Sequence, residues 1–232
     1  MKRKYNVNDK YFQELNSEAK AYLLGFFIAD GYVGLNVRCT NSYRLSVGIS
    51  ECDKNIVQLF RDEICPDSPI IREHFTSSCE NRKPSVKLCW TSTEMKEILE
   101  KEYGILPKKT YDFEFKFPFE KLPKEHLWDF LRGFFDGDGH ISYNDKNHHS
   151  TFGFYGTSKP FLEQIGRIFE DEFNVKMRIE GTVKNRVTLY CLRFSANQKR
   201  KRFFSELYNK FYLGKTHYLE RKRVKIQRVF SN

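Results

Sequence analysis

The sequence predicts an α+β chain built from two copies of one mixed unit, and three observations carry that prediction. Ala21–Val33 (AYLLGFFIADGYV) returns as Asp129–Ile141 (DFLRGFFDGDGHI), with Leu, Gly, Phe, Phe, Asp and Gly identical in place between positions 23–31 and 131–139, an offset of 108. After each copy come alternating stretches, an apolar helix (55–64; 161–173), further alternation and a second helix (93–103; 198–211). Each copy also closes on a similar segment, Ile105–Thr110 (ILPKKT) against Phe211–Thr216 (FYLGKT), so that Asp30 and Lys109 stand 79 positions apart and Asp138 and Lys215 stand 77 apart.

The first motif, Leu23–Asp30, is apolar without interruption and reads as a buried helix. Asn16 or Ser17 is available to cap it before Glu18, and Gly31 is placed to close it. Gly25 and Ala29, like Gly133 and Gly137, lie four apart on one face, where small residues let two backbones approach. The two motif helices are therefore expected to pack on each other with Asp30 and Asp138 side by side at their carboxyl ends. Arg44–Ser50 and Arg186–Phe194 alternate as strands with one face for helices and one left open. Between the copies, Tyr111–Phe119 alternates strictly and suggests an extended, half-buried connector that ends at Pro118 and Pro123. The boundary falls near residue 120: a first repeat 1–120, with linker at about 107–123, and a second repeat 121–232 with a basic carboxyl-terminal tail.

Composition narrows the function classes. The 232 residues have a mean hydropathy of −0.64, and the longest apolar run is roughly Ala21–Ala29, too short to span a bilayer. The first fifteen residues contain no apolar stretch, which argues against a signal peptide and places the protein inside the cell. The six cysteines include no CxxC pair, and five lie in one half, a pattern of reduced thiols and not of a zinc or disulfide framework. Charge is more telling: residues 1–120 carry 18 Lys and Arg against 18 Asp and Glu, whereas residues 121–232 carry 22 against 12 and so hold the whole +10. Residues 176–232 alone have 16 basic and 3 acidic side chains, a density suited to a polyanion. Strand-like segments interrupt that stretch, so nucleic acid is favoured over an anionic membrane.

A carboxylate at a helix carboxyl end sits beside about half a negative charge, and two such ends together need a cation. Carboxylate, carbonyl and water oxygens suit Mg²⁺ better than zinc. His140, His148 and His149 follow the second motif without an HxxxH pattern and read as loop or DNA-facing residues.

LLGFFIADG and LRGFFDGDG resemble the two motifs of a LAGLIDADG homing endonuclease of the single-chain class, and the resemblance spans essentially the whole chain. It implies two pseudo-symmetric αββαββα repeats packed through paired motif helices, with antiparallel sheets forming a DNA-binding saddle. It also implies a sequence-specific endonuclease that hydrolyses both strands of a long asymmetric site with Mg²⁺, for which Mn²⁺ can substitute. By the same resemblance Asp30 and Asp138 ligate the metal with the carbonyls of Ala29 and Gly137, Lys109 and Lys215 are the pocket lysines, and Glu51 positions water. Arg38, Arg44, Arg72, Lys87, Arg178, Arg186 and Arg193 on the sheets, with Arg221 and Arg223 in the tail, are the expected contacts to double-stranded DNA. Ile28 departs from the motif at the position where Asp136 stands in the second copy. The implied protein is an intron-associated monomer of a bacterium, a phage-infected cell or an organelle. The same scaffold also serves RNA-splicing maturases and non-cleaving DNA-binding regulators, but a binder has no physical need to hold carboxylates against phosphate.

Overall fold

The computed structural model describes residues 4–36, 39–73, 84–144, 146, 149–184, 186–196 and 201–231. The order is α1 (Glu18–Asp30), β1 (Gly31–Asn36), β2 (Cys39–Ser50), α2 (Lys54–Ile64), β3 (Ile71–Glu73), β4 (Ser85–Thr91) and α3 (Thr93–Tyr103). It repeats as α4 (Leu127–Asp138), β5 (Gly139–Asn144), β6 (His149–Gly156), α5 (Lys159–Phe173), β7 (Arg178–Lys184), β8 (Val187–Ala196) and α6 (Lys201–Phe211), followed by α7 (Glu220–Ser231). The two sheets are antiparallel and share one topology, β1-β2-β4-β3 and β5-β6-β8-β7. The predicted α+β architecture of two αββαββα repeats is borne out. Among the described residues no helix is long and apolar enough to cross a membrane.

By contacts the chain forms two compact units, residues 1–16 with 30–109, and 17–29 with 110–232. In the first, alternation along β4 sends Val86, Leu88 and Trp90 to the side packed on α2 and α3 and leaves Lys87, Cys89 and Thr91 on the open side. Ser92 caps α3 by accepting from the Met95 amide (2.9 Å), and Gly104, in the left-handed region at φ 69°, ends it. In the second unit a phenylalanine core fills the space between sheet and helices: the rings of Phe134, Phe135, Phe152, Phe154, Phe169, Phe203 and Phe211 contact one another in sequence. Burying each is worth roughly 2–3 kcal/mol.

All of α1 except its last residue, Asp30, belongs to the second unit, where the helix is buried on every side from Ala21 to Ile28. Ser17 caps it, accepting from the Lys20 amide at 3.3 Å. The packing of α1 on α4 turns on one glycine from each: a Cβ on Gly25 would stand 2.0 Å from the Phe130 carbonyl oxygen, and one on Gly133 would stand 2.0 Å from that of Tyr22. Only backbone fits between them. The motif-ending glycine has a different role from the expected helix stop. Gly139 is extended, at φ −86° and ψ 157°, and simply starts β5; a side chain there would strike the Phe135 ring at 2.1 Å.

The connector is not the extended segment expected: Tyr111 closes a 3-10 turn, a further turn lies at 113–114, and another 3-10 turn starts at Phe119. Phe117 is fully buried against the Phe130 ring, and the Gln164 amide replaces a strand partner, accepting from Phe117 N (3.0 Å) and donating to Phe117 O (2.9 Å). The basic carboxyl-terminal tail takes the form of helix α7, with Ile226 and Val229 buried on it and Leu219 buried just before it.

Gly133→Ala is expected to destabilise the protein by about 3 kcal/mol or more, the upper end for overpacking, because its neighbour is backbone and cannot yield. Gly48→Ala, whose added carbon meets nothing closer than 3.7 Å, should leave the urea midpoint nearly unchanged.

Candidate metal ends and nucleic-acid faces

In the first unit, α1 closes on the exposed Asp30 with no basic residue in its last turn. Asp30 opens onto a groove of about 410 Å³ lined by Ser50, Glu73, Ser85 and Lys87. The chain returns to this strand late, where the Lys108 amide donates to the Val33 carbonyl at 3.4 Å and brings Lys109 beside β1. Lys108 holds φ 61°, a left-handed conformation that costs a non-glycine residue about 1 kcal/mol or more and tends to cluster at functional sites. A second groove, of about 770 Å³, continues over the open sheet face between Tyr32, Arg44, Lys87 and Thr91. Arg44 is exposed there and its guanidinium donates to the Cys89 sulfur at 2.9 Å.

Glu51 and Arg72 are not part of that surface. β2 ends at Ser50, the chain turns, and the Arg72 guanidinium holds the Glu51 carboxylate at 2.7 Å. Arg72 pairs across the ladder with Val86, whose side chain is buried among the helices, so Arg72 lies on the opposite side of the sheet from Arg44 and Lys87. The carboxylate sharing the Asp30 groove is Glu73, which sequence reasoning missed because β3 is three residues long and gives no periodic signal. Arg38 lies outside the described residues.

The second unit repeats the register. Arg178 and Arg193 face each other across β7 and β8, and Gly153 links Arg193 to His140 on β5, so His140, Arg193 and Arg178 form one row on the open face. Arg193 also pairs with Glu180 at 2.8 Å, and Arg186 stands exposed in the turn between the two strands at φ 67°. His140 follows Asp138 by two residues; its Nδ1 is buried with no partner among the described residues. Burial and the nearby Lys222 and Arg193 charges push its pKa down.

Lys215 is a correction. Its ammonium pairs at 2.7 Å with Asp129, near the start of α4, whereas Asp138 is the last residue of that helix, about 13 Å further along at 1.5 Å per residue. The segment is pinned there, because Glu18, at the start of α1, accepts from the amides of Thr216 (2.9 Å) and His217 (3.2 Å). Beneath it the fully buried Arg132 binds Asp129, Glu18 and the His217 carbonyl at 2.8–2.9 Å. Equal sequence separation placed a lysine at the wrong end of the helix.

At the other end stands Lys222. It is 4% exposed, and its ammonium donates to the carbonyls of Phe135, Asp136 (2.9 Å) and Gly139 (2.8 Å), with Gly137 at 3.5 Å. The buried Asp136 carboxylate accepts from the Leu219 amide (2.7 Å), just before α7, and from the Tyr22 hydroxyl (2.9 Å). Burial raises the Asp136 pKa to about 6 against the opposing pull of Lys222 and these two donors. Arg221 is exposed on α7, but the Arg223 guanidinium is engaged by Glu220 (2.5 and 2.8 Å) and the Tyr208 hydroxyl (2.9 Å), so it is not free to meet a phosphate as it stands.

Residues 125–208 match the family model described as a LAGLIDADG-like domain. This chain has the LAGLIDADG homing-endonuclease fold. The resemblance carried by the two motifs is thereby borne out, and solved structures extend the likeness to both repeats. I-WcaI bound to its DNA recognition sequence superposes with TM-score 0.56 at 15% identity, over 94% of this chain and 90% of that one. I-LtrWI bound to target DNA gives 0.57 at 13% identity, over 97% and 91%. I-DmoI in complex with DNA and Ca gives 0.55 at 16% identity, over 93% and 100%. No curated protein matches the sequence.

Two outcomes follow from this LAGLIDADG geometry. Lys215→Ala should lower thermal stability, since Asp129 and the loop lose an anchor, without slowing single-turnover chemistry in proportion. Asp136, with a folded pKa near 6 against 3.8 unfolded, makes ionisation costly in the native state. Its penalty is absent below pH 3.8 and complete above about 6. Urea midpoints of the wild type should therefore fall, relative to those of Asp136→Asn, as pH rises through that window.

Proposed function

We propose that the protein is a divalent-metal-dependent endonuclease that hydrolyses both strands of a long, non-palindromic DNA site, acting as a monomer with 1–120 and 121–232 as its two repeats. The observation that carries this reading is the repeated ending of a motif helix in an aspartate, Asp30 and Asp138, each five residues beyond the glycine at which α1 and α4 meet and each leading into a sheet with a basic open face.

The donors fit a hard cation. Each motif end offers one carboxylate and the preceding carbonyl, of Ala29 or Gly137, at a helix terminus of negative potential. Among the described residues no cluster of three or more His, Cys, Asp or Glu could hold a metal. A carboxylate with a neighbouring carbonyl at each helix end suits Mg²⁺, which keeps several waters and is held by one or two carboxylates together with substrate phosphate. Such an ion, when bound, supplies charge neutralisation at the scissile phosphate and an acidified water. In this reading Asp30 and Asp138 hold and orient it, while Lys109, beside β1, stabilises charge that grows on the phosphate oxygens. Arg44 and Lys87 on one open face, and Arg178, Arg186 and Arg193 on the other, track base edges and backbone. Arg221 adds a phosphate contact from α7. The two faces differ residue by residue, which supports unequal half-sites over roughly two helical turns, about 20 base pairs.

Selection of cleaved duplexes from a randomised library with Mg²⁺ tests the reading and yields the site; recovery of bound but uncut DNA would instead point to a regulator. On the selected site, Asp30→Asn and Asp138→Asn should each abolish double-strand cleavage while DNA affinity is kept. Lys109→Ala should slow single-turnover cleavage by roughly 10²-fold, the usual cost of losing one transition-state donor.

A further inference from the structure

α7 has no counterpart after the first repeat, and it meets α4 through an exchange of charge. A helix leaves its last four carbonyls without intrahelical partners and its first four amides likewise. Asp136, two residues from the end of α4, puts its carboxylate on the Leu219 amide at the amino end of α7. Lys222, in the first turn of α7, puts its ammonium on the carboxyl end of α4. Each charge sits at the helix end whose dipole it opposes. Three N–H groups of Lys222 meet three carbonyls, those of Phe135, Asp136 and Gly139, so the ammonium is satisfied although it is 4% exposed. These carbonyls lie on both sides of Gly137 and Asp138, so one side chain ties the last turn of α4 to the first residue of β5.

α1 is built differently. The position matching Asp136 is Ile28, and the one matching Tyr22, which donates to Asp136, is Phe130. One half of the pseudo-symmetric pair carries a buried polar lock, and the other carries apolar residues at the same two places.

We propose that Lys222 is a positioning residue for the second metal end: by clamping the carbonyls around Gly137 and Asp138 it fixes the carboxylate and carbonyl of that half, making α7 part of the catalytic support and not only a carrier of DNA contacts. This rests on the endonuclease reading for its catalytic part. Its consequence is asymmetry between the strands. Loss of the clamp misplaces one carboxylate and spares the other, and a shift of about 1 Å costs roughly 10²-fold in rate.

The test compares Lys222→Met with Ile226→Ala, which loosens α7 through a fully buried side chain and keeps the ammonium. Each is assayed on the selected duplex with the two strands labelled separately and, without DNA, by hydrogen exchange. Lys222→Met should slow one strand by roughly 10²-fold more than the other and raise exchange in residues 135–141 while 129–133 stay protected. Lys222→Arg, which keeps a cation at the carbonyls, should recover much of the lost strand. Ile226→Ala should lower the melting temperature without a strand bias. Equal slowing of both strands, or the same bias in Ile226→Ala, overturns the proposal, as does unchanged exchange in 135–141. If Lys222→Met does not fold, Lys222→Arg against wild type decides through the same strand ratio, and a ratio of one overturns it. Wild-type protein that cuts neither strand sinks the endonuclease reading instead, and exchange in 135–141 still judges the clamp.

Discussion

The contact on which the rest of this structure depends is a backbone-to-backbone approach of two helices. Gly25 and Gly133 bring α1 and α4 so close that a single methyl on either would enter the carbonyl of its neighbour. Such proximity excludes side-chain adjustment, so helix offset and rotation are fixed by peptide groups alone. Where each motif helix ends then follows by helical arithmetic. Asp30 and Asp138 each come five residues, about 7.5 Å of rise, beyond their glycine, and each is succeeded at once by the first strand of a sheet. Position along the helix, and not any loop, sets where the carboxylates stand.

Around that crossing the molecule carries an unusual load of buried charge. At the amino ends of α1 and α4 the guanidinium of Arg132 is satisfied by Asp129, Glu18 and a main-chain carbonyl, with Lys215 closing the cluster. At the carboxyl end of α4 the Lys222 ammonium is satisfied by main-chain carbonyls, while Asp136 accepts through one oxygen, from the Leu219 amide and the Tyr22 hydroxyl, and its Oδ1 has no hydrogen-bond partner among the described residues. Buried ions add little net stability but impose geometry, because a partner lost leaves an uncompensated charge. In both places the geometry imposed is that of the segment after α6, residues 215–222, against the motif helices.

Much of this was legible from the sequence. The duplication, the buried motif helix and the helices after it are encoded by local periodicity, which acts within a few residues; the antiparallel sheets were implied by the resemblance. What failed depended on distant partners. Lys215 matched Lys109 in spacing, yet the chain after α6 runs back to the amino ends of the motif helices, a path no local signal reports. Lys222 occupies the buried face that runs from Leu219, just before α7, through 222, 226 and 229, so its burial looks like a break in amphipathicity until the α4 carbonyls are in view. The resemblance implies a water-positioning role for Glu51, whereas strand pairing sends Arg72 and with it Glu51 to the other side of the sheet. Gly139, the counterpart of the Gly31 expected to close its helix, starts β5 and needs space beside Phe135.

The division of the chain into units does not follow the duplication. α1 opens the first repeat by sequence but, up to Ala29, packs as a member of the second unit. Severing the polypeptide in the connector would therefore not release two autonomous halves. The carboxyl-terminal piece would keep Gly133 and the apolar surface of α4 but lose the helix that covers them. Another molecule of the same piece carries a matching glycine, so its natural cover is itself.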